Sequence, residues 1–235
     1  MWGILLMTLN LRIIASHEPK SPVTEAYRTL RTNIQYAAID SPIRSLLVTS
    51  AGAGEGKSLT AANLAVVMAQ GGKKTILVDC DLRRPMHHRL FGQRNNGGLT
   101  SLLVHGGDPD SVTTETIVPK LKLIPCGPIP PNPAELLDSQ PMKLLVQELQ
   151  SRYESIIFDS PPLLAVTDSA LLAPLVDGVL LVIQAGGTRI DMIQEAKSII
   201  QSTGARIIGC VLNGVRRKAG DYHYYYYAEN SGTDD

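Results

Sequence analysis

The sequence predicts an α/β fold, a doubly wound and mostly parallel sheet with helices on both faces. Two observations carry this. Apolar runs rich in Val, Ile and Leu recur at roughly 45–50, 75–79, 121–125, 155–159, 178–184 and 206–212, without polar alternation. Strands of that kind are buried on both faces, as in a parallel sheet. Helical patterns fall between them, near 58–70, 99–105, 134–150, 168–174 and 189–203. A first helix, Val23 to Ile39, follows Pro22, with Ser21 or Thr24 as its cap. Strand and helix in alternation make layered α/β domains, whose ligands bind beyond the carboxyl ends of the strands.

Composition narrows the class. The chain has 235 residues, 44% of them hydrophobic, enough for one α/β domain with a sizeable core. Its 22 basic and 22 acidic residues balance, which argues against nucleic acid as a partner because no basic excess remains to neutralise phosphates. Cys80, Cys126 and Cys210 fit neither a zinc spacing nor a disulfide framework, and read as reduced, packed thiols. Met1 to Ile14 is apolar but too short to span a bilayer, and lacks the marks of a signal peptide. A β-strand or an interfacial segment are both open there. Residues 126–133 form a Pro-rich connection inside the domain, and from Gly214 onward apolar periodicity ends, as in a solvated tail.

The stretch Ala51-Gly52-Ala53-Gly54-Glu55-Gly56-Lys57-Ser58 lies between a strand pattern and the helix that begins at Leu59. Strand, glycine-rich turn and Gly-Lys-Ser before a helix make the phosphate-binding loop of a P-loop NTPase. Backbone N–H groups of Gly52 to Leu59 would hold phosphate oxygens, aided by the positive end of the helix. Lys57 would reach the β and γ phosphates, and Ser58 would bind Mg²⁺. Ala51 replaces the usual first glycine.

Two further strands end in acids. Val78-Asp79-Cys80-Asp81 places Asp79 and Asp81 on one face if the strand persists to residue 81. Ile156-Ile157-Phe158-Asp159 is the second. Either alone reads equally as a loop cap; beside Gly-Lys-Ser they read as a Mg²⁺–nucleotide site. His87 and His88, in a short helix after Pro85, read as surface residues, since no acidic or cysteine partners recur nearby.

Gly-Glu-Gly-Lys-Ser, Val-Asp-Cys-Asp-Leu-Arg-Arg-Pro and Phe-Asp-Ser-Pro-Pro, in this order, resemble the Walker A, Walker A′ and Walker B motifs of bacterial tyrosine kinases (BY-kinases) from capsular and exopolysaccharide loci. Asn132-Pro133-Ala134-Glu135-Leu136-Leu137 also looks like a segment of that family, and the resemblance covers roughly residues 20–227. It divides the chain into an N-terminal extension (1–20), a P-loop kinase domain (21–213) and a Tyr-rich tail (214–235). In the tail, Tyr222, Tyr224, Tyr225, Tyr226 and Tyr227 hold five of the eight tyrosines in a polar setting. They resemble the cluster that BY-kinases autophosphorylate; the plainer reading is an aromatic patch that packs on a partner. Full phosphorylation would add about −8 to −10 charges, and residues 213–222 could reach about 30 Å when extended.

Glu25, Arg28 and Arg31 form a stripe on the first helix. As an ion pair on a solvated face, Glu25–Arg28 is worth only about 0.3–0.5 kcal/mol. Glu-x-x-Arg-x-x-Arg resembles the BY-kinase motif that docks subunits into a ring, which would give trans-phosphorylation. The resemblance implies transfer of the ATP γ-phosphoryl to tyrosine. Asp79 would orient or deprotonate the hydroxyl, or hold a metal-bound water, and Asp81 and Asp159 would support the metal. Asn213 and, with less support, Arg216 would contact the base; Asn213 reads equally as a turn residue before Gly214. The resemblance further implies a cytoplasmic kinase held at the inner face of the membrane by a separate adaptor, with polysaccharide-biosynthesis enzymes as substrates. Two rivals stand beside it. A partitioning or cell-division positioning ATPase would need a signature lysine where this chain has Gly52, and a scaffold that senses ATP would not need Lys57, Ser58, Asp79, Asp81 and Asp159 together.

Overall fold

A computed structural model of the chain describes residues 13–37 and 42–215. In chain order its elements are α1 (Ile14–His17), α2 (Pro22–Ala37), β1 (Ser45–Ser50), α3 (Lys57–Gln70), β2 (Thr75–Asp79), α4 (His87–Leu90), α5 (Leu99–His105), β3 (Thr114–Glu115), β4 (Leu121–Ile124), α6 (Pro133–Leu137), α7 (Gln140–Arg152), β5 (Ser155–Asp159), α8 (Asp168–Leu172), β6 (Gly178–Gln184), α9 (Ile190–Ser202) and β7 (Ile207–Asn213). The strands form one sheet in the order β3-β4-β2-β5-β1-β6-β7. All pairings are parallel except β3 with β4. β1 lies inside the sheet, between β5 and β6.

Strand pleating sorts the apolar residues into two cores, because successive side chains point to opposite faces. Leu47, Ile76, Val78, Ile156 and Phe158 belong to one core, with Met142, Leu145 and Leu149 of α7. Leu46, Val48, Leu77 and Ile157 belong to the other, with α3. Every residue of α3 from Thr60 to Ala69 is buried. Ala61, Ala62, Ala65 and Ala69 are small enough to let the helix lie close to the sheet on one side and to α1 and α2 on the other.

Four details depart from the sequence reading. The pattern at 134–150 is two helices, α6 and α7. Ser139 separates them and caps α7 through its hydroxyl, which accepts from Met142 N at 3.3 Å, while Pro141 sits in the first turn, where a missing N–H costs nothing. The two-residue β3 makes an antiparallel edge that no apolar run announced. β7, at the opposite edge, is not buried on both faces; Cys210 and Leu212 are exposed, so Cys210 is not a packed thiol. Residues 14–17 form a helical turn that is part of the core: Ala15 N donates to Asn63 Oδ1 at 2.9 Å, and its carbonyl accepts from Gln70 Nε2 at 3.0 Å. Among the described residues no helix is long and apolar enough to cross a membrane. Arg216 and the tyrosines Tyr222, Tyr224, Tyr225, Tyr226 and Tyr227 lie outside the described residues.

Candidate active site

The loop between β1 and α3 turns on left-handed glycines, Gly54 (φ +81°) and Gly56 (φ +88°). No side chain caps α3, so the first N–H groups of that helix remain for a ligand. Glu55 braces the loop from within. Its carboxylate accepts from Ala51 N at 3.1 Å and from the Thr188 hydroxyl at 2.7 Å. Gly52 packs beside it, where a Cβ would meet Glu55 Oε1 at 3.3 Å and Met192 Cε at 3.4 Å, whereas Ala53 and Gly54 are exposed at the loop's crest. Leu59 and Ser58 are half-buried at the start of α3.

Asn213 closes the loop from the end of β7. Its amide donates to Glu55 O at 3.0 Å, and its side-chain oxygen accepts from Gly214 N at 2.9 Å. The asparagine thus turns the chain and holds the phosphate loop at once. Both of its polar ends are engaged by the protein.

Register brings the acids to the loop. Asp79 and Asp159 are direct neighbours at the carboxyl ends of β2 and β5, and Val48 of β1 pairs with Asp159. Lys57 Nζ donates to Asp81 Oδ2 at 2.7 Å and lies 3.9 Å from Asp159 Oδ1. Lys57, Asp79, Asp81 and Asp159 converge, but β2 ends at Asp79, so Asp81 meets Lys57 from the turn after the strand and not from a shared strand face. Burial alone would lower the Lys57 pKa, but the charges of Asp159 and Asp81 carry it above its ordinary value. Burial raises Asp79 to about 6, offset in part by His87. Asp159 is also buried, yet the Lys57 charge and the His87 hydrogen bond hold it below the usual carboxylate range.

His87 was read as a surface residue, and the structure corrects this. It is fully buried. Its Nε2 lies 2.9 Å from Asp159 Oδ2, and its backbone N–H donates to Asp79 Oδ2 at 3.0 Å. Desolvation opposes its charge, but Asp79 and Asp159 together raise its pKa. The missed signal was helical: His87, Leu90 and Phe91 stand at i, i+3 and i+4, so His87 shares the apolar side of α4. Of its two acidic partners, Asp79 stands eight residues earlier, at the end of β2, and Asp159 comes from the neighbouring strand β5. His88 is partly exposed, and burial and neighbouring cations lower its pKa.

The donor set suits Mg²⁺. Asp79 Oδ1 and Asp159 Oδ1 are buried without a hydrogen-bond partner, and hard carboxylate oxygens beside a serine hydroxyl are what that ion prefers.

Glu25 and Arg28 pair on the exposed face of α2. Arg31 does not join them. Its Nη1 donates to Val67 O at 2.7 Å, in the last turn of α3, where a cation meets the negative end of the helix.

A glycine-turned phosphate loop, a lysine at the helix start and acids at the ends of adjacent parallel strands define a nucleotide-binding P-loop protein. The family described as CobQ/CobB/MinD/ParA nucleotide binding domain accordingly matches residues 46–231. Within that class the chain belongs to the bacterial tyrosine kinases. It is 44% identical over 223 residues to the tyrosine-protein kinase YwqD of Bacillus subtilis, covering 94% of each chain. It is 37% identical to the putative tyrosine-protein kinase CapB of Staphylococcus aureus, covering 91% of this chain and 93% of that one. Among solved structures, the kinase domain of Escherichia coli tyrosine kinase ETK superposes with a TM-score of 0.85 at 32% identity, over 88% of this chain and 81% of that one. The septum site-determining protein MinD of Pyrococcus horikoshii, at 20% identity and TM-score 0.63, shares the fold alone. The protein is thus a tyrosine kinase, and the positioning-ATPase reading is set aside.

Proposed function

We propose that this kinase transfers the γ-phosphoryl group of ATP to its own tail, at Tyr222, Tyr224, Tyr225, Tyr226 and Tyr227, and thereby regulates capsular or exopolysaccharide synthesis. The observation that supports it best is the convergence of Lys57, Asp79, Asp81 and Asp159 on the phosphate loop, with two carboxylate oxygens unpartnered. Gly52 to Leu59 cradle the triphosphate. Lys57 leaves Asp81 for the β and γ phosphates and neutralises charge as it develops there. Ser58, Asp79, Asp81 and Asp159 would hold Mg²⁺, which would supply the remaining positive charge.

The tyrosine oxygen attacks the γ phosphorus, the bond to the bridging oxygen breaks, and ADP leaves. Asp79, with a pKa of about 6, is suited to take the hydroxyl proton near neutral pH. Asn213 and Arg216 flank the base in this reading, Asn213 on condition that it gives up its bond to Gly214 N. A homo-oligomeric ring built through Glu25, Arg28 and Arg31 presents each tail to a neighbour's site. Activation comes from the cytoplasmic segment of a membrane adaptor, which places the kinase at the inner face of the membrane; polysaccharide-biosynthesis enzymes are further substrates.

The test is a phosphotyrosine blot after incubation with Mg²⁺ and ATP, with an adaptor fragment supplied. Wild type labels on the tail, and Lys57→Met falls by a factor on the order of 10²–10³. Phosphate release without labelled protein would overturn the autokinase reading. Neither label nor release would leave an ATP-sensing scaffold.

A further inference from the structure

We propose that His87 is a nitrogen ligand in the carboxylate pocket, so that the nucleotide-free kinase takes a first-row transition cation in preference to Mg²⁺. The inference rests on reading that pocket as the metal side of the nucleotide site.

Asp79, His87 and Asp159 each offer a ligand atom within 4.8 Å of the others, and all three residues are buried. The His87 Nε2 to Asp159 Oδ2 separation is 2.9 Å. Two adjacent ligands of an octahedral ion with bonds of about 2.1 Å stand about 3.0 Å apart, so this pair already has the spacing of one octahedral edge.

Two carboxylate oxygens of this group, Asp79 Oδ1 and Asp159 Oδ1, are buried without hydrogen-bond partners. Orphaned buried groups are uncommon in folded proteins, and an ion that satisfies them is one recognised cause. Charge points the same way. Three carboxylates, Asp79, Asp81 and Asp159, outnumber the basic groups that face them, Lys57 and His87, so the pocket keeps negative charge for a cation to offset. The backbone fixes the frame: Met86 N and His87 N hold Asp79 Oδ2 at 3.1 Å and 3.0 Å, and the ring of Phe91 lies 6.4 Å from that of His87. An all-carboxylate site suits Mg²⁺, whereas an imidazole nitrogen shifts preference toward Co²⁺, Zn²⁺ and their neighbours. Binding displaces the proton between Nε2 and Asp159 into solvent and leaves the nitrogen lone pair on the metal.

The probe is Co²⁺ on the nucleotide-free full chain. Its affinity is read from visible absorption in competition with Mg²⁺, and nitrogen ligation from a hyperfine-shifted imidazole resonance in the proton NMR spectrum. Wild type is expected to bind Co²⁺ about 10- to 100-fold more tightly than Mg²⁺; in His87→Gln that ratio falls at least about tenfold and the shifted resonance disappears. If His87→Gln does not fold, the wild-type resonance and its loss in Asp79→Asn decide the matter. An imidazolium that only balances two acids would give no shifted resonance. That result, an unchanged ratio in the variant, or no Co²⁺ binding at all would overturn the proposal. Mg²⁺–ATP binding is measured alongside: its survival confines the failure to His87, and its loss in the wild type would sink the nucleotide-site reading itself.

Discussion

Asp79 is an acid held where water cannot reach it. One oxygen takes two backbone N–H groups and the other takes none. Its folded pKa of about 6 lies above the value of about 3.9 expected of an unfolded chain. Between those values the folded protein keeps a proton that the unfolded chain has lost, so stability falls as pH rises through the interval, and the loss is complete above about pH 6. Asn cannot ionise and keeps an acceptor for Met86 N and His87 N. Asp79→Asn is therefore expected to be more stable than wild type by about 2 kcal/mol at pH 8, with the difference gone near pH 4. Urea unfolding at the two pH values measures this, and an equal gap at both would show that charge burial is not the cause.

At the scale of elements, the phosphate loop is held by contacts that its own sequence does not contain. A side chain at Gly56 would meet Asn213 Nδ2 at 2.0 Å, on a backbone with φ of +88°. Gly56→Ala should therefore lose ATP affinity at least about tenfold and cost about 1–2 kcal/mol, as read by titration with a fluorescent ATP analogue and by thermal unfolding. The turn after β2 has its own anchor. Arg83 makes two bonds to Asp168, at 2.9 Å and 3.0 Å, and Asp168 is fully buried at the start of α8. The Arg83 side chain is 40% exposed, which screens the pair. Arg83→Ala is expected to cost about 1–2 kcal/mol, chiefly by leaving the buried carboxylate without its cation. Thermal unfolding within error of wild type would show that water replaces the guanidinium.

At the scale of the whole molecule, Glu25, Arg28 and Arg31 separate into two kinds. Glu25 and Arg28 pair with each other on the surface, while Arg31 is tied to the end of α3, the helix that begins at Lys57. A ring contact through α2 predicts that the Glu25→Ala, Arg28→Ala double variant shifts to monomer in light scattering without loss of stability. Arg31→Ala should shift the mass too, and in addition lose about 1 kcal/mol, because the carbonyl of Val67 is left without its donor. An unchanged particle mass in both variants would remove the ring.

Much of this was legible in the chain itself. Lys57, Ser58, Asp79, Asp81 and Asp159 stood out because a phosphate loop and acid-ended strands are local patterns, and a parallel sheet gathers strand ends on one side. His87 was not legible as a site residue, because Asp79, eight residues earlier, meets it only through the path of the turn after β2, and Asp159 reaches it through strand register. The break between α6 and α7 was visible only in retrospect, as Ser139 and Pro141.

By itself, then, the sequence determined the six long strands and most of the helices between them, where the phosphate loop lies and which acids end its neighbouring strands. These follow from apolar period and glycine spacing, which act over a few residues. Only the tertiary structure decided that His87 is buried between two acids, that Asn213 clasps the phosphate loop and that Arg31 faces inward. Each includes a contact between groups 36 or more residues apart, made by packing that no short-range pattern encodes.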